Sequence, residues 1–498
     1  MTHRSHVSFA VLIAVSATGL LAGCTLGPDF LRPKPPAVDG YTAQPMPAKT
    51  AAADAPGGAA QEFVKAMDIP GQWWTLFHSE PLNRLIEEAL KANPSLQAAH
   101  ASLRQAQETL AAQEGTRLPA ATGAVGATRQ KVPDTQTGFP GVSPVYNLYN
   151  ASVSVSYDLD VFGGEKRQTE SLEAQTEFQQ FQLESAYLTL TSNVVTAAVQ
   201  EASLRAQIAA TEDIISAESE QLAVLQSQFQ LGGISRSDVL LQESTLAQTR
   251  ATLPLLQDQL AQARNQLIAL AGRLPSQDGG EAFELTAMQL PQQLPVSLPS
   301  KLVEQRPDVR AAESQLHSAS AQIGVARAAQ FPDFTLSSQV GVSAFHLDTL
   351  FVPASRLAEI GGNAAATLFD GDALYHKRLA AVAAYDAAEA QYRGTVVTAF
   401  QNVANALRAL EYDADALKAQ LAAENSAADS LSIARLQYQA GAITYLTLLN
   451  AEQQYQTARI GLVKAEGARF ADTAALFQAL GGGWWNRSDA AQAATAAK

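Results

Sequence analysis

Apolar and polar residues alternate along short stretches in each half of the chain. From residue 149 to 158 an apolar or small side chain occupies every second position, and the same period returns at residues 332–345. A period of two predicts β-strands with one apolar face, because successive side chains of a strand point to opposite faces. Weaker alternation around residues 119–130 and 359–368 adds one strand to each half. The pattern therefore predicts four strands.

The region after each strand pair is poor in helix breakers. Residues 165–231 contain neither glycine nor proline, and residues 372–440 contain only Gly394. Each stretch therefore predicts one helix of roughly 70 residues, about 100 Å long at a rise of 1.5 Å per residue. Helices of this length favour coiled-coil packing, and an ordinary solvated helix bundle is the alternative.

Glycine turns are predicted to end both long helices. We expect helical hairpin tips at residues 232–236 and 441–445, because glycine just beyond a helix is typical of its carboxyl end. Returning helices follow at residues 237–271 and 446–480, and a shorter helix precedes each strand pair. The turn residues are Gly232, Gly233, Gly441 and Ala442, and the shorter helices span residues 83–117 and 307–330.

An internal repeat organises the chain. A constant offset of 209 residues carries Leu222–Pro275 onto Leu431–Trp484 without a gap. Self-similarity at this scale indicates that one architecture is built twice. We assign the first repeat to residues 73–290 and the second to residues 291–485. Identical pairs include Gln228 and Gln437, Gly232 and Gly441, Ile234 and Ile443, Glu243 and Glu452, and Gly272 and Gly481.

Strands of about ten residues with one apolar face fit the wall of a transmembrane β-barrel. Four strands cannot close a barrel, which needs at least about eight, and an open sheet edge cannot face lipid. Several copies of the chain would therefore have to share one barrel. A soluble four-stranded sheet is the alternative when the strands are considered by themselves.

The amino terminus has the organisation of a bacterial lipoprotein signal. A short basic segment precedes an apolar run from Val7 to Leu21, which is shorter than the roughly 20 residues that span a bilayer as a helix. A lipobox sequence, Leu21-Ala22-Gly23-Cys24, follows. We predict that residues 1–23 are removed and that Cys24, the only cysteine, carries diacylglycerol and an N-acyl chain such as palmitate. A chance cysteine after an ordinary secretory signal is the alternative.

Two further segments lack apolar periodicity. Residues 24–72 are rich in proline, alanine and glycine and predict an extended surface arm, and residues 486–498 predict a disordered tail. The tryptophans suit either anchors at a membrane interface or packing where the repeats begin and end. They are Trp73, Trp74, Trp484 and Trp485.

Composition excludes several classes of function. The net charge is −14 and no stripe of Lys and Arg is present, which argues against a nucleic-acid partner. The seven histidines are scattered without metal-ligand spacing, so we predict neither an enzyme nor a metal or other cofactor. No GxxxxGK[ST] loop is present, so energy for transport would have to come from partners.

Six motifs together resemble those of one family, the outer membrane factors or TolC-like outer-membrane efflux proteins. The resemblance is strongest to the lipoprotein branch that serves resistance-nodulation-division pumps, and it covers Cys24–Trp485. The motifs are CTLGPDFLRP (24–33), WWTLFHSEPLNRLIEEAL (73–90), YDLDVFGGEKR (157–167), RPDVRAAE (306–313), IGVARAAQFP (323–332) and LFDG (368–371).

The resemblance implies a mainly α fold with a membrane β-barrel. Three protomers would share a 12-stranded barrel in the outer membrane, and their long helices would form a periplasmic tunnel. The implied partners are a periplasmic adaptor, or membrane fusion protein, that docks at the hairpin tips, and an inner-membrane pump. The implied function is efflux of small molecules, as in multidrug resistance. Alternatives are a type I secretion channel, a metal-efflux channel and, in another class, a non-conducting coiled-coil scaffold lipoprotein.

The resemblance also implies a gate at the periplasmic end of the tunnel. One closing contact in relatives joins a tyrosine to an aspartate at positions held here by Tyr438 and Asp238, so we predict a charge-assisted hydrogen bond between them. A second latch in relatives uses an arginine where this chain has Ile443. A pore ring of aspartates in relatives matches Thr447 and Asn450, which would present dipoles rather than like charges to an ion.

Overall fold

The computed structural model describes residues 25–137, 139–141 and 143–487. Helices dominate these residues, and two helices of 67 residues each are much longer than the others. The helices of seven residues or more are α1 (Glu80–Ala92), α2 (Pro94–Thr116), α3 (Gly164–Gln230), α4 (Arg236–Leu270), α5 (Pro299–Gln305), α6 (Pro307–Ala328), α7 (Ala373–Gln439) and α8 (Tyr445–Ala479). The strands are β1 (Glu62–Lys65), β2 (Ala120–Lys131), β3 (Val145–Leu159), β4 (Gln293–Val296), β5 (Asp333–Ala344) and β6 (Arg356–Ala365).

The four predicted strands form one antiparallel sheet in the order β2-β3-β5-β6. Val153 lies opposite Gly123 on one side and Val340 on the other, so the apolar residues of neighbouring strands share one face. Ser152 lies opposite Ala124 and Gly341 on the second face. The register thus gives the sheet one mainly apolar face and one small or polar face.

Strand β3 begins at Val145, four residues before its predicted start at residue 149. The alternation fails at residues 145–149, where apolar side chains occupy both faces, so the pattern did not show the strand there. Strand pairing sets the start of β3, since Val145 lies opposite Lys131 at the end of β2. Strand β6 likewise lies three residues earlier than the predicted 359–368, because its pairing with β5 runs from Arg356 to Ala365.

The predicted long helices are present as α3 and α7, and their ends differ from the prediction by one residue. The unbroken helix predicted for residues 83–117 is wrong, because the chain divides between α1 and α2 at Asn93. The Asn93 side-chain oxygen accepts hydrogen bonds from the N–H groups of Ser95 (2.9 Å) and Leu96 (3.2 Å). Pro94 then begins α2, as proline is tolerated in the first helical turn.

The amino-terminal arm, which was predicted to be an extended surface segment, contains regular structure. Strand β1 of the arm pairs in parallel with β4, and Phe63 lies opposite Leu294. The fully buried Arg469 of α8 fixes the arm by donating to the Gln61 side chain at 2.7 Å. The arm is therefore bonded into the fold rather than only lying on it.

The predicted disordered tail from residue 486 onward is wrong for its first two residues. The Asn486 amide donates to the Asp68 carboxylate at 2.9 Å, and Arg487 forms a 3.0 Å ion pair with Glu184. The Arg487 guanidinium also stacks 3.6 Å from the ring centroid of Tyr187. Residues 488–498 lie outside the described residues, as does the predicted signal, 1–23.

The chain divides into two compact units, and both repeats contribute to each. The first unit comprises the chain up to Pro33, Ser102–Gln179 and Ala312–Tyr392, and it contains the four-stranded sheet. The second comprises Lys34–Ala101, Gln180–Ala311 and the chain from Arg393, and it contains both hairpin tips. None of the described helices combines the length and the hydropathy that a membrane-crossing helix needs.

The four tryptophans lie in the second unit, and Trp484 and Trp485 are half-buried there. Trp73 and Trp74 are buried, and Trp73 stacks on Phe477 with ring centroids 5.3 Å apart. The Trp484 indole N–H donates to the carbonyl of Gln305 at 2.7 Å. These contacts favour the packing role over the membrane-interface role.

Candidate functional site at the hairpin tips

Both hairpin tips turn on a glycine in the left-handed region, Gly232 at φ +76° and Gly441 at φ +72°. A Cβ at either position would meet no atom within 4 Å, so the turns are open in one protomer. Two backbone bonds close each tip and satisfy the last carbonyls of α3 and α7. They are Gly232 N–H to Phe229 O (2.9 Å) and Gly233 N–H to Gln228 O (2.8 Å), and Gly441 N–H to Tyr438 O (2.9 Å) and Ala442 N–H to Gln437 O (2.8 Å).

One apolar cluster joins the two hairpins beside the tips. We call α3 and α4 the first hairpin, α7 and α8 the second hairpin, and this group of side chains the tip cluster. Leu225 is fully buried within it, and Ile443 packs against it. The buried members are Leu225 and Val239 of the first hairpin, and Leu431, Ala434, Tyr445, Leu448, Leu449 and Ala451 of the second.

Buried polar side chains also join the two hairpins. The Tyr445 hydroxyl donates to Gln242 Oε1, and the Gln242 amide donates to the Glu218 carbonyl at 3.0 Å. Glu218 Oε1 accepts from the Thr249 hydroxyl at 3.0 Å and from the Gln456 amide. Glu218 and Gln242 are 3% and 0% exposed. Donors from both hairpins therefore converge on one buried residue.

The predicted gate pair, Tyr438 and Asp238, lies at this tip. The Tyr438 hydroxyl donates to Gln228 Oε1 at 3.3 Å. The Asp238 carboxylate accepts from the Ser235 hydroxyl (2.9 Å) and N–H (3.2 Å), which forms a capping box at the start of α4. Burial raises the pKa of Tyr438, and the negative charge of Asp238 raises it further. The two groups are thus electrostatic neighbours, and each is hydrogen-bonded elsewhere in this conformation.

The predicted pore-ring residues, Thr447 and Asn450, are both exposed on α8. The Thr447 hydroxyl lies 3.0 Å from that of Thr444, which caps the helix. Asn450 lines a 1030 Å³ cavity with Gln453 and other polar residues. Neither side chain is drawn into the tip cluster, so both remain open to solvent in one protomer.

A second buried carboxylate, Glu452, lines a 610 Å³ cavity with Glu218. Burial raises the pKa of Glu452 to about 6, the nearby Arg435 lowers it, and Glu218 raises it. The Arg435 guanidinium lies 3.7 Å from Glu452 Oε1. Among the described residues, the Oε2 atoms of Glu218 and Glu452 have no hydrogen-bond partner. Negative charge in this cavity is therefore incompletely compensated.

The residues after the predicted lipidation site are fixed between β3 and α3. Cys24 itself lies outside the described residues. The Leu26 N–H donates to the Phe162 carbonyl at 3.1 Å. Arg167, which is 5% exposed, donates to the Leu26 carbonyl (3.2 Å) and to Asp29 (2.7 Å). The chain is thus held immediately after the predicted lipid-bearing residue.

The sequence patterns did not identify the residues that join the hairpins. Gln242 directly follows an apolar run, Val239-Leu240-Leu241, and a polar residue there is a weak signal of a buried hydrogen bond. The capping role of Asp238 had a clearer signal, since a serine three residues before an acidic residue is typical of a helix start.

Comparison with known proteins gives one family. The family model described as outer membrane efflux protein matches residues 85–273 and 298–482, which fall in the first and second repeats respectively. Outer membrane protein OprJ of Pseudomonas aeruginosa is 29% identical over 480 residues, which cover 95% of each chain. The toluene efflux pump outer membrane protein TtgC of Pseudomonas putida is 28% identical over 482 residues, which cover 96% of each chain.

A solved structure shares the fold. The outer-membrane channel OprN superposes with a TM-score of 0.82 and 27% sequence identity. The match covers 93% of this chain and all of that one. The fold class that the family resemblance implied, mainly α with strands of a shared membrane β-barrel, is confirmed by this likeness.

Proposed function

Because the chain belongs to the outer membrane efflux protein family and is an outer-membrane component of an efflux system, we propose that three copies form one conduit from the periplasm to the cell exterior. The four sheet strands of each copy contribute to a shared 12-stranded barrel. The helical hairpins form the periplasmic tunnel. An inner-membrane pump of the resistance-nodulation-division type and a periplasmic adaptor supply small organic molecules to it.

The main observation behind this proposal is that the sheet of one protomer has two unpaired edges and an exposed apolar face. Strands β2 and β6 are its two edges, and large apolar side chains on its apolar face are open, with Val125 88% and Ile360 78% exposed. Lipid can cover such a face, but it cannot satisfy the backbone groups of an open edge. Pairing β2 of one protomer with β6 of the next would satisfy both edges.

A lipid on Cys24 fits this arrangement. The bonds of Leu26 and Arg167 hold the arm at the junction where β3 ends and α3 begins. Acyl chains attached two residues earlier would enter the membrane leaflet at the level where the barrel strands end. Support therefore comes from geometry as well as from the lipobox sequence.

The tips supply the adaptor-docking surface and the gate. Gly232, Gly233, Gly441 and Ala442 form the open turns, and the flanking apolar residues Leu231 and Leu446 are 85% and 55% exposed. Exposed apolar residues beside open turns suit a protein partner. The predicted gate residues lie at the same tips: Asp238 and Tyr438 as the closing pair, and Thr447 and Asn450 as the pore ring.

The test is single-channel conductance of the purified, lipidated protein in a planar bilayer, with its mass determined in detergent. We expect discrete conductance steps from a species of three protomers and loss of acyl labelling in the Cys24→Ala variant. A monomer that does not conduct would overturn the proposal in favour of the scaffold lipoprotein.

A further inference from the structure

We propose that Glu218 is a positioning residue that holds the second hairpin closed against the first. This inference rests on the proposed conduit and adds to its gate a contact inside the helical pair. Glu218 belongs to α3, and its carboxylate accepts from Thr249 of its own hairpin and from Gln456 of the other. One carboxylate oxygen, Oε1, receives both donors.

A second bond between the hairpins reinforces the first and also ends on Glu218. Tyr445 of α8 donates to Gln242 of α4, whose amide donates to the Glu218 backbone carbonyl. Tyr445 and Gln242 are 4% and 0% exposed, so water does not compete for these bonds. The side chain and the backbone of Glu218 thus each receive a link from α8, one direct and one through Gln242.

Burial makes this contact suitable for a gate. Glu218 is buried, and hydrogen bonds to a charged acceptor that is shielded from bulk water are stronger than neutral surface bonds. The second oxygen, Oε2, has no partner among the described residues, so Gln456 is the donor from the second hairpin on which the carboxylate depends. When the second hairpin moves outward, Glu218 loses this donor and gains water, so the open state is also satisfied.

The other side chains at the tips form few polar contacts that could hold the two hairpins together. Ile443 packs against the tip cluster and cannot donate a hydrogen bond from its side chain. Asp238 is bonded to Ser235, and the Tyr438 bond to Gln228 is between neutral groups at 3.3 Å. The strongest polar link between the hairpins in the described structure is therefore the buried one at Glu218.

The test exchanges the side-chain types of Glu218 and Gln456. Gln456→Glu places two carboxylates at one buried contact, and we expect the open-to-closed ratio in bilayers to rise about tenfold or more. The double variant Glu218→Gln/Gln456→Glu restores an amide and a carboxylate with their places reversed. We expect its ratio to return to within about twofold of the wild type. The same pattern should appear in uptake of a large antibiotic by cells that carry each variant.

Gln478→Glu adds the same charge to an exposed position of α8 and is the matched control. It should leave the open-to-closed ratio unchanged. A conducting wild type with no change in Gln456→Glu, or no rescue in the double variant, would overturn the role of Glu218 and leave the conduit intact. A wild type that does not conduct would instead overturn the proposed function, and this inference with it. Trimer mass in detergent shows that each variant has assembled.

Discussion

The carboxylate of Asp238 caps the amino-terminal end of its own helix, α4. Its bonds with Ser235 form a capping box, an arrangement typically worth about 1 kcal/mol to a helix. The raised pKa of Tyr438 keeps that phenol neutral, so it can donate a hydrogen bond at any physiological pH. Rotation of these two side chains would exchange the two bonds of Asp238 to Ser235 and the bond of Tyr438 to Gln228 for the predicted contact between Tyr438 and Asp238.

Three substitutions separate the two roles of Asp238. If the predicted latch operates, Asp238→Ala and Tyr438→Phe both raise the conductance of the isolated channel, because each removes one partner. Ser235→Ala removes only the cap, costs about 1 kcal/mol of stability and leaves conductance unchanged. Bilayer recordings with thermal unfolding of the same samples check this. Leak from Ser235→Ala with none from Tyr438→Phe would show that only the cap matters.

At the scale of single residues, local sequence spacing predicted the turns but not the buried hydrogen-bond partners. Gly232 and Gly441 were predictable because a glycine that follows a long breaker-free stretch is typical of the carboxyl end of a helix. Glu218 and Gln456 are 238 residues apart in the chain. No local pattern encodes such a pair, because it forms only when the two hairpins pack.

Helix α8 contains three carboxyl groups with raised pKa values. Burial raises the pKa of Glu452 to about 6 and that of Glu466 to about 7, against Arg435 and Arg459 respectively, which lower them. Burial and the neighbouring Asp413 also raise the pKa of Asp472. All three carboxyls are therefore easier to bury when protonated.

Acidification should stabilise the second hairpin. A carboxyl whose folded pKa lies above its unfolded value of about 4.5 stabilises most when protonated, and this contribution is lost as pH rises through the folded pKa. Between pH 5 and pH 8 this contribution should be about 1 kcal/mol for Glu452 and about 2 to 3 kcal/mol for Glu466. The melting temperature of the detergent-solubilised protein should therefore be lower at pH 8 than at pH 5.

The triple variant Glu452→Gln/Glu466→Gln/Asp472→Asn should remove most of this pH dependence. Glu243→Gln is the matched control, since Glu243 is the repeat equivalent of Glu452 and is exposed. Carboxyls with lowered pKa values, such as Asp278 and Glu281, change stability only below about pH 4.5. They therefore do not affect the difference in melting temperature between pH 5 and pH 8. A pH dependence that survives in the triple variant would contradict the assignment to α8.

The elements themselves were largely predictable. The long helices followed from the absence of glycine and proline, and the strands followed from alternation, since each signal reports the geometry of a single element. The ends that were missed depend on partners. Strand β3 begins early because β2 extends to pair with Val145, and α1 ends where Asn93 caps α2.

On the scale of the whole molecule, each repeat supplies two strands and one long hairpin, and the sheet joins the repeats through the β3–β5 pair. Sequence repetition predicted this doubling. Which strands would meet was not predictable, because the register between β3 and β5 depends on residues nearly 200 positions apart, such as Tyr149 and Ala344.

Cysteine pairs across the sheet edges should report the shared barrel. The natural chain has one cysteine, so introduced pairs give a clear readout. Gly123→Cys on β2, combined in turn with Ala358→Cys, Ile360→Cys or Gly362→Cys on β6, places both thiols on the apolar face. We expect covalent trimers on oxidation for at least one register, seen as a reducible band in a denaturing gel.

Gly123→Cys/Val153→Cys is the control for this experiment, because these two residues lie opposite each other within one protomer. It should cross-link without any increase in apparent mass. Edge pairs that stay monomeric in every register would contradict the pairing of β2 with β6 of the neighbour.

The open edges at β2 and β6 also bear on the kinetics of biogenesis. A sheet whose backbone groups are satisfied only by neighbouring copies cannot reach its final stability before association, so folding and assembly become one reaction that depends on protomer concentration. At low expression each chain would remain longer as a monomer with unpaired strand edges. During that time, pairing of these edges with other proteins would compete with trimer assembly. Synthesis rate would thus influence the fraction of chains that become channels as well as their number.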